Sequence, residues 1–126
     1  MQRKLSKEEV LIKIRDFSNL PVGWDLDFGN PISEPVIDYT CSLLEREYCS
    51  NEYFYFRTNV YPTPNSDGGI TITFSNGEVF LDLIINSDLS LNIVKEVGFG
   101  VNYQIEYQRE NISVFQLIKE IYELCR

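Results

Sequence analysis

The run "GITITFSNGEVFLDLIIN", Gly69 to Asn86, limits what this chain can fold into more than any other stretch. Ile70, Ile72 and Phe74 alternate with Thr71 and Thr73, which places the apolar side chains on one side of an extended strand. Asn76-Gly77 then supplies a tight-turn signal, since both residues accept the positive φ that two-residue hairpins need. On the return, Val79, Leu81, Leu83 and Ile85 fall on one face and Phe80, Asp82 and Ile84 on the other. Strands joined by so short a turn pair antiparallel, and the near-continuous hydrophobicity of the second predicts a central strand covered at least partly on both faces.

The stretches on either side extend the pattern. "NSDLS" is a second turn and "LNIVKEVG" a further strand. Beyond Gly98 and Gly100, "VNYQIEYQ" alternates, with Val101, Tyr103, Ile105 and Tyr107 expected on one face. Upstream, "EYFYFRTNVYP" is dense in aromatic and β-branched residues and predicts a strand. The prolines and the Asp-Gly-Gly turn of "YPTPNSDGG" are expected to end it, with Gly68 or Gly69 at positive φ.

Three segments carry helical spacing instead. Ser6 and Glu9 form a capping box ahead of Val10, Leu11, Ile14 and Phe17. Ser33 as N-cap and Pro35 in the first turn start a second helix, whose stripe of Val36, Ile37, Thr40, Leu43, Leu44 and Tyr48 runs to about Cys49. Asn111 or Ser113 caps a third, with Val114, Leu117, Ile118, Ile121, Leu124 and Cys125 in line. The expected fold is α+β: a four- to five-stranded antiparallel meander sheet with two N-terminal helices and one C-terminal helix packed on it, in a single domain spanning residues 1–126.

Composition narrows the chemistry. The 44% apolar and 24% charged residues are those of a folding, globular chain. No apolar run approaches the ~20 residues of a membrane span, so a cytoplasmic protein is expected. Histidine is absent, which removes Ser-His-Asp and Cys-His catalysis and histidine-based metal sites. Cys41, Cys49 and Cys125 are odd in number and lack a C-x-x-C spacing, so reduced thiols are expected and neither metal nor cofactor is. A net charge of −8 disfavours direct contact with nucleic acid or anionic membranes and favours a basic protein partner.

Asp25 and Asp27 in "WDLDFGN" resemble the start of a calcium loop, but Val36 stands where a closing bidentate Glu belongs. Trp24 and Asp25, with the glycines around them, are therefore read as a structural plug between helices and sheet, and Gly68-Gly69 as a turn. Asp82 is the one charge within "VFLDLII": it faces solvent, or it lines a polar face with Arg57 or Arg109. Tyr55, Arg57, Tyr103, Tyr107 and Arg109 have the aromatic-plus-arginine composition of binding hot spots, and equally of cross-strand pairs at a sheet edge.

Two motifs, "LPVGWDLDFGNPISEPVI" and "VYPTPNSDGGITITF", together resemble a family of short, uncharacterised bacterial proteins. Its members carry a Leu-Pro-x-Gly-Trp-Asp loop and a Pro-Thr-Pro-Asp-Gly-Gly-Ile motif. Leu26 replaces the family's usual small residue and Phe74 its tryptophan. The resemblance implies a bacterial or phage source and a shared architecture, and it transfers no catalytic residue.

Three functions follow in order. The first is a non-enzymatic acidic binding protein that engages a macromolecular partner, of the immunity, antitoxin or phage anti-defence type, compatible with homo-oligomers. The second is a small-molecule binder taking an anionic, nucleotide-like ligand, held by Arg57 and Arg109, between the aromatic face of the sheet and the loops at Trp24 and Pro62 to Gly69. A carboxylate enzyme using Asp25, Asp27 or Asp82 comes third.

Overall fold

The computed structural model describes residues 4–24, 29–45, 58–99 and 102–124, with Phe99, Asn102 and Tyr103 described by backbone alone. Helix α1, Lys7–Asp16, begins at the predicted capping box: Ser6 Oγ accepts from the Glu9 amide at 3.2 Å, and Glu9 Oε1 accepts from the Ser6 amide at 3.1 Å. A single 3-10 turn, Phe17–Asn19, ends it. Helix α2, Glu34–Leu44, starts with Pro35 in its first turn, and Ser33 holds the N-cap position without a side-chain capping bond. The proline, with φ already near the helical value, sets this boundary in place of the hydroxyl. Tyr48 and Cys49, predicted to continue α2, lie outside the described residues, as do Arg57 and the aromatic run before it.

Five strands follow: β1 Asn59–Pro64, β2 Ile70–Ser75, β3 Val79–Ile85, β4 Leu91–Phe99 and β5 Asn102–Arg109. They form one antiparallel sheet in sequence order. Helix α3, Val114–Leu124, completes the chain's α+β architecture. Of the two predicted caps, Ser113 is the one used. Its Oγ accepts from the Gln116 amide while Gln116 Oε1 accepts from the Ser113 amide, and Asn111 instead takes a positive φ of 53°.

The strand alternation sorts into two faces. Val60, Ile70, Ile72, Phe74, Leu81, Leu83, Ile85, Leu91 and Ile93 join Val10, Ile14, Ile37, Leu43, Leu117 and Ile121 in one buried cluster, so all three helices lie on the same side of the sheet. On the other side Thr71, Thr73, Phe80, Asp82, Ile84 and Val94 are half-buried.

Two expectations about the strands need correcting. Pro62 and Pro64 do not end β1; they lie within it, opposite Ile72 and Ile70. Proline is tolerated because β1 is the edge of the described sheet, and a period of two aims both missing N–H groups the same way, away from β2. In β5 the predicted single face for Tyr103, Ile105 and Tyr107 breaks. Lys95 pairs with Tyr107 but Glu96 with Ile105, leaving Glu106 as an extra residue. That bulge shifts the register by one, so Tyr107 shares the helix-covered face while Ile105 and the Tyr103 position fall on the opposite one.

The turns show why particular residues stand where they do. Gly77 has φ 99° and is the first central residue of the β2–β3 turn, which the Asn76 amide closes onto the Val79 carbonyl at 3.3 Å. Asn76 Oδ1 accepts from the amides of Glu78 and Val79, so the predicted turn signal acts one residue later than its Asn-Gly pair suggests. Gly68 is the residue at positive φ, 94°, while Gly69 is needed for space: a Cβ there would stand 2.5 Å from the Ile85 carbonyl oxygen.

Candidate interaction surface

The two motif stretches meet at one end of the sheet. The Asn30 amide donates to the Ser66 carbonyl at 2.8 Å, Gly68 lies under Pro31 and Asn30, and the Gly69 amide donates to Asp67 Oδ1 at 3.0 Å. Trp24 Nε1 donates to the Asn30 carbonyl at 2.8 Å, closing its own loop together with the Gly23 amide, which donates to the Gly29 carbonyl at 2.7 Å. Among the described residues Trp24 is half-buried and outside the core cluster, and its indole N–H ties its own loop. Asp25 and Asp27 lie outside the described residues.

Asp82 projects from the open face, where Thr73 Oγ1, directly across the β2–β3 pair, donates to its Oδ1 at 2.6 Å. Arg109 is opposite Ile93, a core residue, and Asp82 is opposite Val94. The two therefore belong to opposite faces of the sheet, and the predicted Asp82–Arg109 polar face does not form. Tyr55 and Arg57 are outside the described residues, and the Tyr103 side chain is likewise not described.

Tyr107 and Arg109 do come together, on the helix side. The Arg109 guanidinium lies 4.7 Å from the Tyr107 ring centroid and Lys95 Nζ 5.6 Å from it, while Lys95 also reaches Glu106 Oε2 at 3.5 Å. The Tyr107 ring thus carries two cations on its π-system. Its hydroxyl is buried beside Glu120 of α3, and neither that oxygen nor Glu120 Oε2 has a hydrogen-bond partner among the described residues. Burial first, and the facing Glu120 carboxylate second, push the phenol well above its ordinary pKa of 10.0.

A surface that the strand motifs did not reveal lies on α3. Leu117, Ile121 and Leu124 are buried, yet Phe115 is 85% exposed and Tyr122 61% exposed, with Ile118 between them at the i, i+3, i+7 spacing. The signal was present in the sequence: seven of the eleven residues in "VFQLIKEIYEL" are apolar or aromatic, more than one core-facing stripe needs. Beside this stripe Phe115, Ile118, Lys119, Tyr122 and Glu123 line a depression of about 350 Å³. A second, of about 320 Å³, opens at the start of α3 among Tyr39, Leu89, Ser90, Leu91, Asn111, Ile112, Ser113 and Val114.

Comparison with known proteins adds no relative: no family model, no curated protein and no solved structure matches this chain. Among the described residues no group of three or more Cys, Asp or Glu side chains is placed to hold a metal ion, and no helix is long and apolar enough to cross a membrane.

Proposed function

We propose that this protein is a non-enzymatic binding protein that engages a macromolecular partner, as small acidic immunity, antitoxin or phage-encoded inhibitor proteins do. The observation that carries this reading is the outer face of α3, which presents Phe115 and Tyr122 to solvent while the inner face is already buried. Exposed aromatic stripes of this kind are costly to leave in water and are the residue types that dominate binding energy when covered. The net charge of −8 selects a basic partner and speeds its approach.

Titration against purified basic proteins at low and high ionic strength tests the reading. The expected result is a salt-sensitive complex that Phe115→Glu with Tyr122→Glu abolishes at unchanged melting temperature. A protein that binds none of them at low salt counts against it. The alternative, an anionic small-molecule site, loses one of its two arginines, because Arg109 is stacked on Tyr107 on the helix side, away from the open face.

A further inference from the structure

We propose that the depression between Tyr39 of α2, the β3–β4 turn and the start of α3 binds a small uncharged heterocycle of the nucleobase kind. It is separate from the partner surface on α3, since neither Phe115 nor Tyr122 lines it. Several parts of the chain meet there: Tyr39, the turn at Leu89 and Ser90, Leu91 of β4, and the segment from Asn111 to Val114. At about 320 Å³ the space is at the small end of ligand sites.

Leu89 is what singles this depression out. Among the described residues only Leu89 and Asn111 hold a positive φ without being glycine, 72° and 53°, and both line it. Asparagine enters that region at little cost, but leucine does not. The backbone there is well tied: the Leu89 amide donates to the Asn86 carbonyl at 2.8 Å, and the Asn86 amide donates to the Ser90 carbonyl at 2.9 Å. The Ser90 amide and hydroxyl both donate to Asp88 Oδ1, at 2.9 and 2.6 Å. A turn bonded in this way holds the leucine in a conformation where Asn or Gly would serve better, and keeps its side chain, 39% exposed, at the wall of the depression. Strain that the surrounding bonds over-determine collects at ligand sites.

The lining selects the class of ligand. Leu89, Leu91, Ile112 and Val114 supply an apolar wall and Tyr39 an aromatic one, against which a flat ring can pack. The Asn111 amide donates to Asn92 Oδ1 at 3.0 Å, which fixes the residue, while its carboxamide has no partner among the described residues. That group offers a donor and an acceptor side by side, the complement of a nucleobase edge. None of the lining residues is Lys, Arg, Asp or Glu. The residues before Leu89 and Asn111 are Asp88 and Glu110, so a phosphate finds carboxylates in the adjoining positions and no cation in the lining. An uncharged base or nucleoside is therefore favoured over a nucleotide or a nucleic-acid strand.

The test titrates the uncharged ribonucleosides and their monophosphates into the isotope-labelled full chain and follows amide chemical shifts. At least one nucleoside should shift the amides of Leu89 to Leu91 and of Asn111 to Val114 saturably, and its monophosphate should bind at least ~tenfold more weakly. Leu89→Asn should unfold at an equal or higher denaturant midpoint yet bind at least ~tenfold more weakly, which separates loss of the wall from loss of the fold. If Leu89→Asn lowers the midpoint, Asn111→Gly decides, because glycine keeps the positive φ and removes the carboxamide; its binding should weaken by a similar factor. Phe115→Glu, on the outer face of α3, should bind the nucleoside as the parent does, so this site and the partner surface stand or fall separately.

The proposal is overturned by the absence of a saturable shift with every nucleoside, or by shifts confined to another part of the chain. A monophosphate that binds as tightly as its nucleoside overturns it too, as does parental affinity in the deciding variant.

Discussion

Leu89 occupies a position that its side chain disfavours. At φ 72° it closes the β3–β4 turn, its amide donating to the Asn86 carbonyl at 2.8 Å, in the left-handed region that glycine and asparagine enter at little cost. Replacing it by Asn should raise stability by about 0.5–1 kcal/mol, read as a shift in the denaturant midpoint; a lower midpoint would mean that its contacts with the Tyr39 hollow outweigh the strain. Tyr107 stores a different cost. Its hydroxyl is buried against the Glu120 carboxylate without good hydrogen-bond geometry, so Tyr107→Phe should change stability by no more than about 1 kcal/mol at neutral pH. Because burial raises the folded pKa, the stability contributed by the neutral phenol is complete below the unfolded value near 10.0 and is lost as pH rises through the folded value. The phenylalanine variant should therefore show a flatter alkaline limb in unfolding curves taken across that range, and an unchanged limb would rule out Tyr107 as its source.

Between neighbouring elements, the sheet edges carry the clearest lesson. Pro62 and Pro64 read in sequence as the end of a strand, because proline removes a ladder donor. They instead remove two outward-facing N–H groups from an edge strand, at Pro62 and Pro64, so that this stretch offers another chain fewer donors. Restoring them with Pro62→Thr and Pro64→Thr should promote concentration-dependent association, visible as light scattering or a larger sedimentation coefficient at unchanged secondary structure; a variant that associates no more than the parent would assign edge protection elsewhere. The bulge at Glu106 was not legible in "VNYQIEYQ", where alternation holds at every position. A bulge arises from the mismatch between two twisted strands, and its location depends on β4 as much as on β5. Hence Tyr107, Arg109 and Lys95 were assembled into one cluster, while Asp82 was left alone with Thr73 on the other face.

For the whole molecule, stability rests on one layer of contacts between the three helices and one side of the sheet. Phe74 is fully buried in that layer. Phe74→Ala should cost about 3–5 kcal/mol in equilibrium unfolding, and a loss below about 1 kcal/mol would mean that the layer collapses to fill the gap. Phe80, in the same hairpin and of the same residue type, is half-buried on the opposite face, so its truncation should cost visibly less.

Helix type, strand type and their order along the chain were set by the sequence alone, since capping boxes, alternation and turn residues act within a few positions of one another. The same locality explains the legibility of Gly68 at positive φ, whereas the need for Gly69 comes from the Ile85 carbonyl of β3, which its own turn does not reveal. Which polar and aromatic groups share a surface was decided only by tertiary structure. The face assignment of Arg109, the placement of Tyr107 beside Glu120 and the hollow between Tyr39, Leu89 and Val114 each depend on the register and distance between elements remote in sequence, and no local pattern encodes those quantities.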